Sequence, residues 1–167
     1  MFFVNCASIL GEKMYLCAKI IDFSMDVAIM PKGVQRIELP HSMDKRGLLC
    51  YLEGNVHIPF PVQRVFWITD VPEGEVRGGH AHWSCDEVVF AASGSFEIEV
   101  DDGRQRFVTT LYSPSCGLTI PAGVWCELRH FAPGTVCVVM ASQPYDASGY
   151  ALDRSAWLQE LSQRKML

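Results

Sequence analysis

The stretch Gly74-Glu-Val-Arg77-Gly-Gly-His80-Ala-His82, followed at a distance by Glu87 and Gly94, decides the reading of this chain. One residue separates the two histidines, so on an extended strand both rings leave from the same face. In a barrel that face is either the lumen or the solvent. Gly78 and Gly79 stand directly before them, and a backbone without Cβ atoms lets a ligand approach closely. As spacing, the pattern is G-x5-H-x-H-x4-E-x6-G, and a second turn, Pro121-Ala-Gly123, follows some forty residues on. A solitary H-x-H on an exposed strand is a common accident. The flanking glycines and the later P-x-G turn are what mark this pair as a site.

Working outward, short apolar segments recur at roughly ten-residue spacing between Gly, Pro, Asp and Ser turns, the rhythm of an all-β sandwich or barrel. They are Leu48–Glu53, Arg64–Thr69, Val88–Ala92, Ser95–Val100, Phe107–Leu111, Gly117–Pro121, Val124–Leu128 and Thr135–Ala141. Ser95–Val100 alternates cleanly: Phe96, Ile98 and Val100 form one face, and Glu97 with Glu99 forms the other, expected to be solvated. Asp101-Asp102-Gly103 is a hairpin turn, because Gly and Asp tolerate the positive φ of a tight return. Over Ala151–Lys165 the period changes, with Leu152, Ala156, Trp157 and Leu161 at helical spacing. The expected architecture is a jelly roll over residues 34–150, a short C-terminal helix over 151–167, and an N-terminal extension over 1–33 for which a helix, an added strand and a poorly ordered arm all stay open. Trp125 and Trp157 read as core, and His41, His57 and His130 as isolated structural or surface histidines.

Composition narrows the function classes. A chain of 167 residues makes one domain and buries roughly 70% of its unfolded surface, so it needs no disulfide or structural metal. The net charge of −5, with no basic block, argues against nucleic acid as a partner. Seven cysteines without a C-x-x-C pair point to a reducing, cytoplasmic setting. The apolar start MFFVNCASIL is interrupted by Gly11-Glu12-Lys13, short of the ~20 residues that span a bilayer, so no membrane partner is expected.

The histidine spacing resembles the first signature of the cupin superfamily, in which two His and one Glu often hold a divalent metal. A narrower resemblance extends along the chain: Asp44-Lys-Arg-Gly47, His57-Ile-Pro-Phe60, Arg64-Val-Phe-Trp-Ile68, Asp70-Val-Pro72, Arg77–His82, Ser93-Gly-Ser95, Gly117-Leu-Thr-Ile-Pro121, Val124-Trp125 and Tyr145-Asp146. This ordered series is similar to the cupin-type, WxcM-like 3,4-ketoisomerases that act on dTDP-4-keto-6-deoxyglucose. The resemblance implies a homodimeric jelly roll that needs no metal or other cofactor and binds a dTDP-linked keto-deoxysugar. It implies His80 as the proton carrier between C3 and C4, and His82 as the group that assists at the sugar oxygens. Imidazole suits both tasks, since its pKa near 6.5 lets it accept and donate protons near neutrality.

Around the histidines, Arg64 and Arg77 are candidates for the diphosphate, Trp67 for stacking on thymine, and Gly79, Glu87 and Cys126 for the sugar pocket. Where the family has Tyr, Gln and His, this chain carries Phe66-Trp67, Glu87 and Cys126. Two other readings therefore stay open. One is a metal-dependent cupin using His80, His82 and Glu87, with Cys126 as a fourth donor for Zn²⁺ or Fe²⁺. The other is a nucleotide-sugar-binding cupin without catalysis.

Overall fold

Two five-stranded sheets, one hairpin and one helix build residues 30–164, the part of the chain described by the computed structural model. In chain order the strands are β1 (Gln35–Glu38), β2 (His41–Asp44), β3 (Gly47–Cys50), β4 (Arg64–Ile68), β5 (Arg77–His82) and β6 (Glu87–Ser93). They continue as β7 (Phe96–Asp101), β8 (Arg106–Leu111), β9 (Cys116–Ile120), β10 (Trp125–Arg129), β11 (Val136–Ala141) and β12 (Tyr150–Ala151), and the helix α1 is Arg154–Gln163. One sheet has the order β1-β9-β6-β11-β4 and the other β12-β5-β10-β7-β8, while β2 and β3 pair only with each other. All strand pairs are antiparallel. The architecture is the expected all-β jelly roll with a C-terminal helix.

Alternation places the core. Phe96, Ile98 and Val100 of β7 turn inward to meet Val89 and Ala91 of β6, Leu118 and Ile120 of β9, and Val139 of β11. Burial of these side chains between two sheets is the main term holding the layers together. A second apolar layer, Leu39, Ile58 and Phe60, covers Val88 and Phe90, so β6 is buried on both faces from Glu87 to Ala91. A third lies under α1, where Trp157 and Leu161 pack on Ala81 and Trp125. Both tryptophans are core residues, and Trp157 Nε1 donates to the Gly123 carbonyl at 2.9 Å.

The ends differ from the expected boundaries. Residues 1–29, and with them most of the N-terminal extension, lie outside the described residues. Met30 already packs against the core, Pro31 is fully buried, and Lys32 N–H donates to Asp102 Oδ2 at 2.8 Å. At the other end Tyr150 and Ala151 form a strand, and Leu152 is exposed rather than part of an apolar helix face. Asp153 caps the helix that follows, accepting from Ala156 N–H at 2.7 Å.

The expectation of a solvated Glu97 and Glu99 face fails for Glu99, which is fully buried. Its carboxylate meets Arg106 at 2.5 Å, Arg129 at 3.3 Å and Arg154 at 3.3 Å. Alternation does point Glu99 away from the core. Neighbouring strands and the helix then lay three guanidinium groups over it, a long-range effect that strand periodicity cannot carry.

Candidate active site

β5 carries the two histidines on the inner face of its sheet, opposite Ala81, which faces α1. Across the strand His80 pairs with Cys126 and Ala81 with Trp125, and a bulge between Cys126 and Glu127 absorbs one residue of β5. The bulge explains the two glycines, both at positive φ. A Cβ on Gly78 would stand 2.7 Å from the Cys126 carbonyl oxygen, so close packing excludes any side chain there. A Cβ on Gly79 would meet nothing within 4 Å; the open space beside His80 begins at this residue. By register Arg77 shares the inner face with His80 and is exposed at the end of the strand.

The P-x-G turn acts on the same strand. Gly123 N–H donates to the His82 carbonyl at 2.6 Å, which ties the turn after β9 to the backbone of the second histidine.

The histidine rings are edge-on to each other, with centroids 5.0 Å apart. His82 is buried, and its Nε2 lies 3.2 Å from Glu87 Oε1, without the alignment of a hydrogen bond. Arg64 Nη2 stands 3.5 Å from the same oxygen, while Arg64 Nε is buried without a partner among the described residues. Burial holds the His80 imidazole below its ordinary value, only partly offset by a hydrogen bond to the Gly78 backbone. His80 is therefore neutral, and able to accept a proton, near neutral pH. Burial pushes the Cys126 thiol well up, so Cys126 stays protonated.

Tyr150, on which the sequence reading placed no role, completes the site. Its ring lies 4.2 Å from that of His82 and 4.9 Å from that of His80. Tyr145 lies 5.8 Å from Tyr150, and the Arg64 guanidinium sits 5.7 Å from the Tyr145 ring. A cleft of about 240 Å³, its open mouth included, runs beside His82, Arg64 and Tyr150 toward Cys85, Gln143 and Asp146. Tyr145-Asp146 is a visible motif, yet nothing in sequence spacing places residues 143–150 beside residue 82.

The structure thus brings His80, His82, Glu87 and Arg64 together, with Gly79 and Arg77 on the same strand as the histidines. Cys126 is buried among the core residues across from His80. Trp67 is not part of this group: it lies on the outward face of β4, opposite Arg64 and Phe66, and is 68% exposed. Among the described residues, His80, His82 and Glu87 have donor atoms within 4.8 Å of one another, a set able to hold a divalent cation. Cys126 is outside that set, so the four-donor arrangement considered from sequence reduces to three.

A double-sheet jelly roll with two histidines and a glutamate on its inner face is a cupin-type domain. The chain belongs to the family described as FdtA, WxcM-like, C-terminal, whose model matches residues 32–162. It is 39% identical over 108 residues to a TDP-4-oxo-6-deoxy-alpha-D-glucose-3,4-oxoisomerase of Aneurinibacillus thermoaerophilus, covering 65% of this chain and 78% of that protein. A histidine-to-asparagine variant of the 3,4-ketoisomerase QdtA from Thermoanaerobacterium thermosaccharolyticum, in complex with TDP-4-keto-6-deoxyglucose, superposes with a TM-score of 0.78 at 32% identity. That match covers 81% of this chain and 98% of the other. The WlaRB TDP-quinovose 3,4-ketoisomerase of Campylobacter jejuni superposes with a TM-score of 0.74 at 34% identity, covering 77% and 99%.

Proposed function

We propose that this protein is a sugar 3,4-ketoisomerase that moves the ketone of a dTDP-4-keto-6-deoxyhexose from C4 to C3. The observation that carries the reading is the pair of inward imidazoles in contact with each other, His80 held neutral through burial and His82 lining the cleft. The C4 ketone acidifies the proton on C3. His80 removes that proton, and the electron pair of the C3–H bond becomes the C3=C4 bond of an enediolate, with the negative charge on O4. His82 moves the O3 proton to O4. The enediolate, its charge now on O3, collapses with C4 taking a proton from the His80 imidazolium, and C3 is left as the ketone. The net change is one hydrogen from C3 to C4 and one from O3 to O4, with no redox partner.

The surroundings sort the remaining candidates. Arg64 shares the Glu87 carboxylate with His82, so much of its charge is spent inside the site. Arg77, exposed at the open end of β5, is the better partner for the diphosphate. Trp67 faces away from the histidines, which removes the support for its stacking on the base from within one chain. Together with Val65 of β4 and Met43, Leu48 and Leu49 of the β2–β3 hairpin, it instead leaves apolar surface exposed, which supports assembly as a homodimer. Among the described residues no helix is long and apolar enough to cross a membrane. Cys85, Cys126 and Cys137 are buried free thiols, which suits the reducing cytoplasm.

A second reading, a metal-dependent cupin enzyme, is favoured by the proximity of the His80, His82 and Glu87 donors. Arg64 beside the same carboxylate weighs against it, because a guanidinium and a divalent cation compete for one oxygen.

The deciding experiment incubates the protein with dTDP-4-keto-6-deoxyglucose in D₂O and follows the sugar by NMR. The expected result is a 3-keto product carrying deuterium introduced at C4, with exchange at C3 of the substrate. Binding of the nucleotide sugar with neither exchange nor product would overturn catalysis and leave the binding cupin. Stoichiometric metal surviving dialysis, with activity lost on chelation, would move the assignment to a metalloenzyme.

A further inference from the structure

We propose that Tyr150 is the positioning residue of this site, fixing both imidazole rings through its own ring. The kinetic part rests on the ketoisomerase reading; the geometry does not.

Tyr150 is the direct cross-strand partner of His82 in the β12–β5 pairing, so the two side chains leave the sheet on one face. Its ring touches both histidine rings, at 4.2 and 4.9 Å between centroids, and it is the one aromatic side chain among the described residues that contacts both. Glu87 Oε1 lies 3.2 Å from His82 Nε2, and Arg64 Nη2 reaches the same oxygen at 3.5 Å. The His82 ring thus meets the Tyr150 phenol and the Glu87 carboxylate. Turning the His82 ring requires moving either the phenol against it or the carboxylate beside its Nε2.

A two-residue strand has little stability of its own. β12 is held because its flanks are anchored elsewhere. Before it, Asp146 accepts from Ser148 N–H at 2.9 Å and Trp83 N–H donates to the Gly149 carbonyl at 2.9 Å. After it, α1 locks down through Trp157 on Gly123 and through Arg154 on Asp101 at 2.5 Å. Gly123 is the residue whose N–H holds the His82 carbonyl. The C-terminal segment is therefore the part of the chain that holds Tyr150 against the histidines.

The test uses two variants of the full chain. Tyr150→Phe keeps the ring and removes the hydroxyl; Tyr150→Leu removes the ring. In NMR spectra the imidazole carbon-bound protons of His80 and His82, assigned through His80→Asn and His82→Asn, feel the ring current of Tyr150. They are expected to shift in Tyr150→Leu and to stay close to wild type in Tyr150→Phe. Kinetically, Tyr150→Leu is expected to lower kcat about tenfold while KM changes less than about twofold, the loss expected when a reacting ring is no longer held in place, and Tyr150→Phe is expected to stay close to wild type. Should Tyr150→Leu not fold, Tyr150→Met, which also lacks the ring, takes its place in both measurements. Unmoved histidine resonances or wild-type kcat in the folded variant without the ring would overturn the positioning role. A wild-type protein that exchanges no deuterium at C3 would overturn the ketoisomerase reading instead, and the resonance comparison would still decide whether Tyr150 holds the rings.

Discussion

The sheet that carries β5 and β7 bears a polar cluster on each face, and the two are built in opposite ways. On the outer face Glu99 is fully buried yet meets Arg106, Arg129 and Arg154, and Asp101, Glu127 and Glu97 complete the charge balance. On the inner face His82 Nε2 and Arg64 Nε are buried without hydrogen-bond partners among the described residues. A buried polar atom left unpaired carries a penalty of roughly 1–3 kcal/mol, so folding alone favours the outer arrangement. The inner one is tolerable where a ligand supplies the missing partners. The outer cluster is the architecture that secures α1 and, through it, the C-terminal strand. The inner cluster is what that architecture holds open.

Breaking the inner cluster should have the largest effect. His80→Asn and His82→Asn are each expected to cut kcat by roughly 100- to 10,000-fold, the range for removing a general acid–base, with the fold intact by circular dichroism. Wild-type turnover in either variant would remove that histidine from the mechanism.

Breaking the outer cluster should do the reverse. Glu99→Gln takes the charge from among three guanidinium groups and is expected to lower stability by about 1–3 kcal/mol, read as a urea midpoint shift at constant slope. Because those arginines are partly solvated, the upper end of that range is the ceiling. Turnover per folded molecule should be retained; a large loss of kcat in fully folded Glu99→Gln would mean that the two faces are not separable.

A subtler change tests how the inner site is tuned. Burial lowers the His80 pKa, so the acidic limb of kcat/KM should fall below the ordinary histidine value of 6.5. The sign follows from the proposed mechanism: with the neutral ring as the base, activity should disappear as pH falls through the lowered value. The Glu87 charge acts on His80 in the opposite direction, favouring the protonated ring. Glu87→Gln should therefore move the acidic limb further down, and a limb that moves up would contradict this arrangement.

The smallest catalytic effect is expected away from both clusters. Trp67→Ser on the outer face of β4 should leave C3 exchange in place while weakening self-association, checked by sedimentation velocity across a concentration series. Loss of exchange in a variant whose association state is unchanged would return Trp67 to the substrate site.

Much of this division was legible before any coordinates. The alternation in Ser95–Val100 identified the inward face of β7 correctly, because period-two patterning follows directly from the pleat. His80 and His82 were legible as a same-face pair for the same reason. The need for Gly78 was anticipated as room for a ligand, whereas its structural cause is the bulge that sets it against the Cys126 carbonyl. Glu99 was misplaced because alternation reports which way a side chain points and says nothing about what arrives above it. Tyr150 was missed because its role depends on a strand of two residues, too short for any period.

What the sequence determined on its own was local and periodic: which faces are apolar, where the turns fall, and that two imidazoles share a face beside glycines. The tertiary structure decided which residues meet them. Tyr150 reaches His82 across 68 positions of chain, and Arg64 and Glu87 close around the same ring, because antiparallel pairing and helix docking bring distant segments together. Those contacts arise from packing between elements, and no pattern within a single element encodes them.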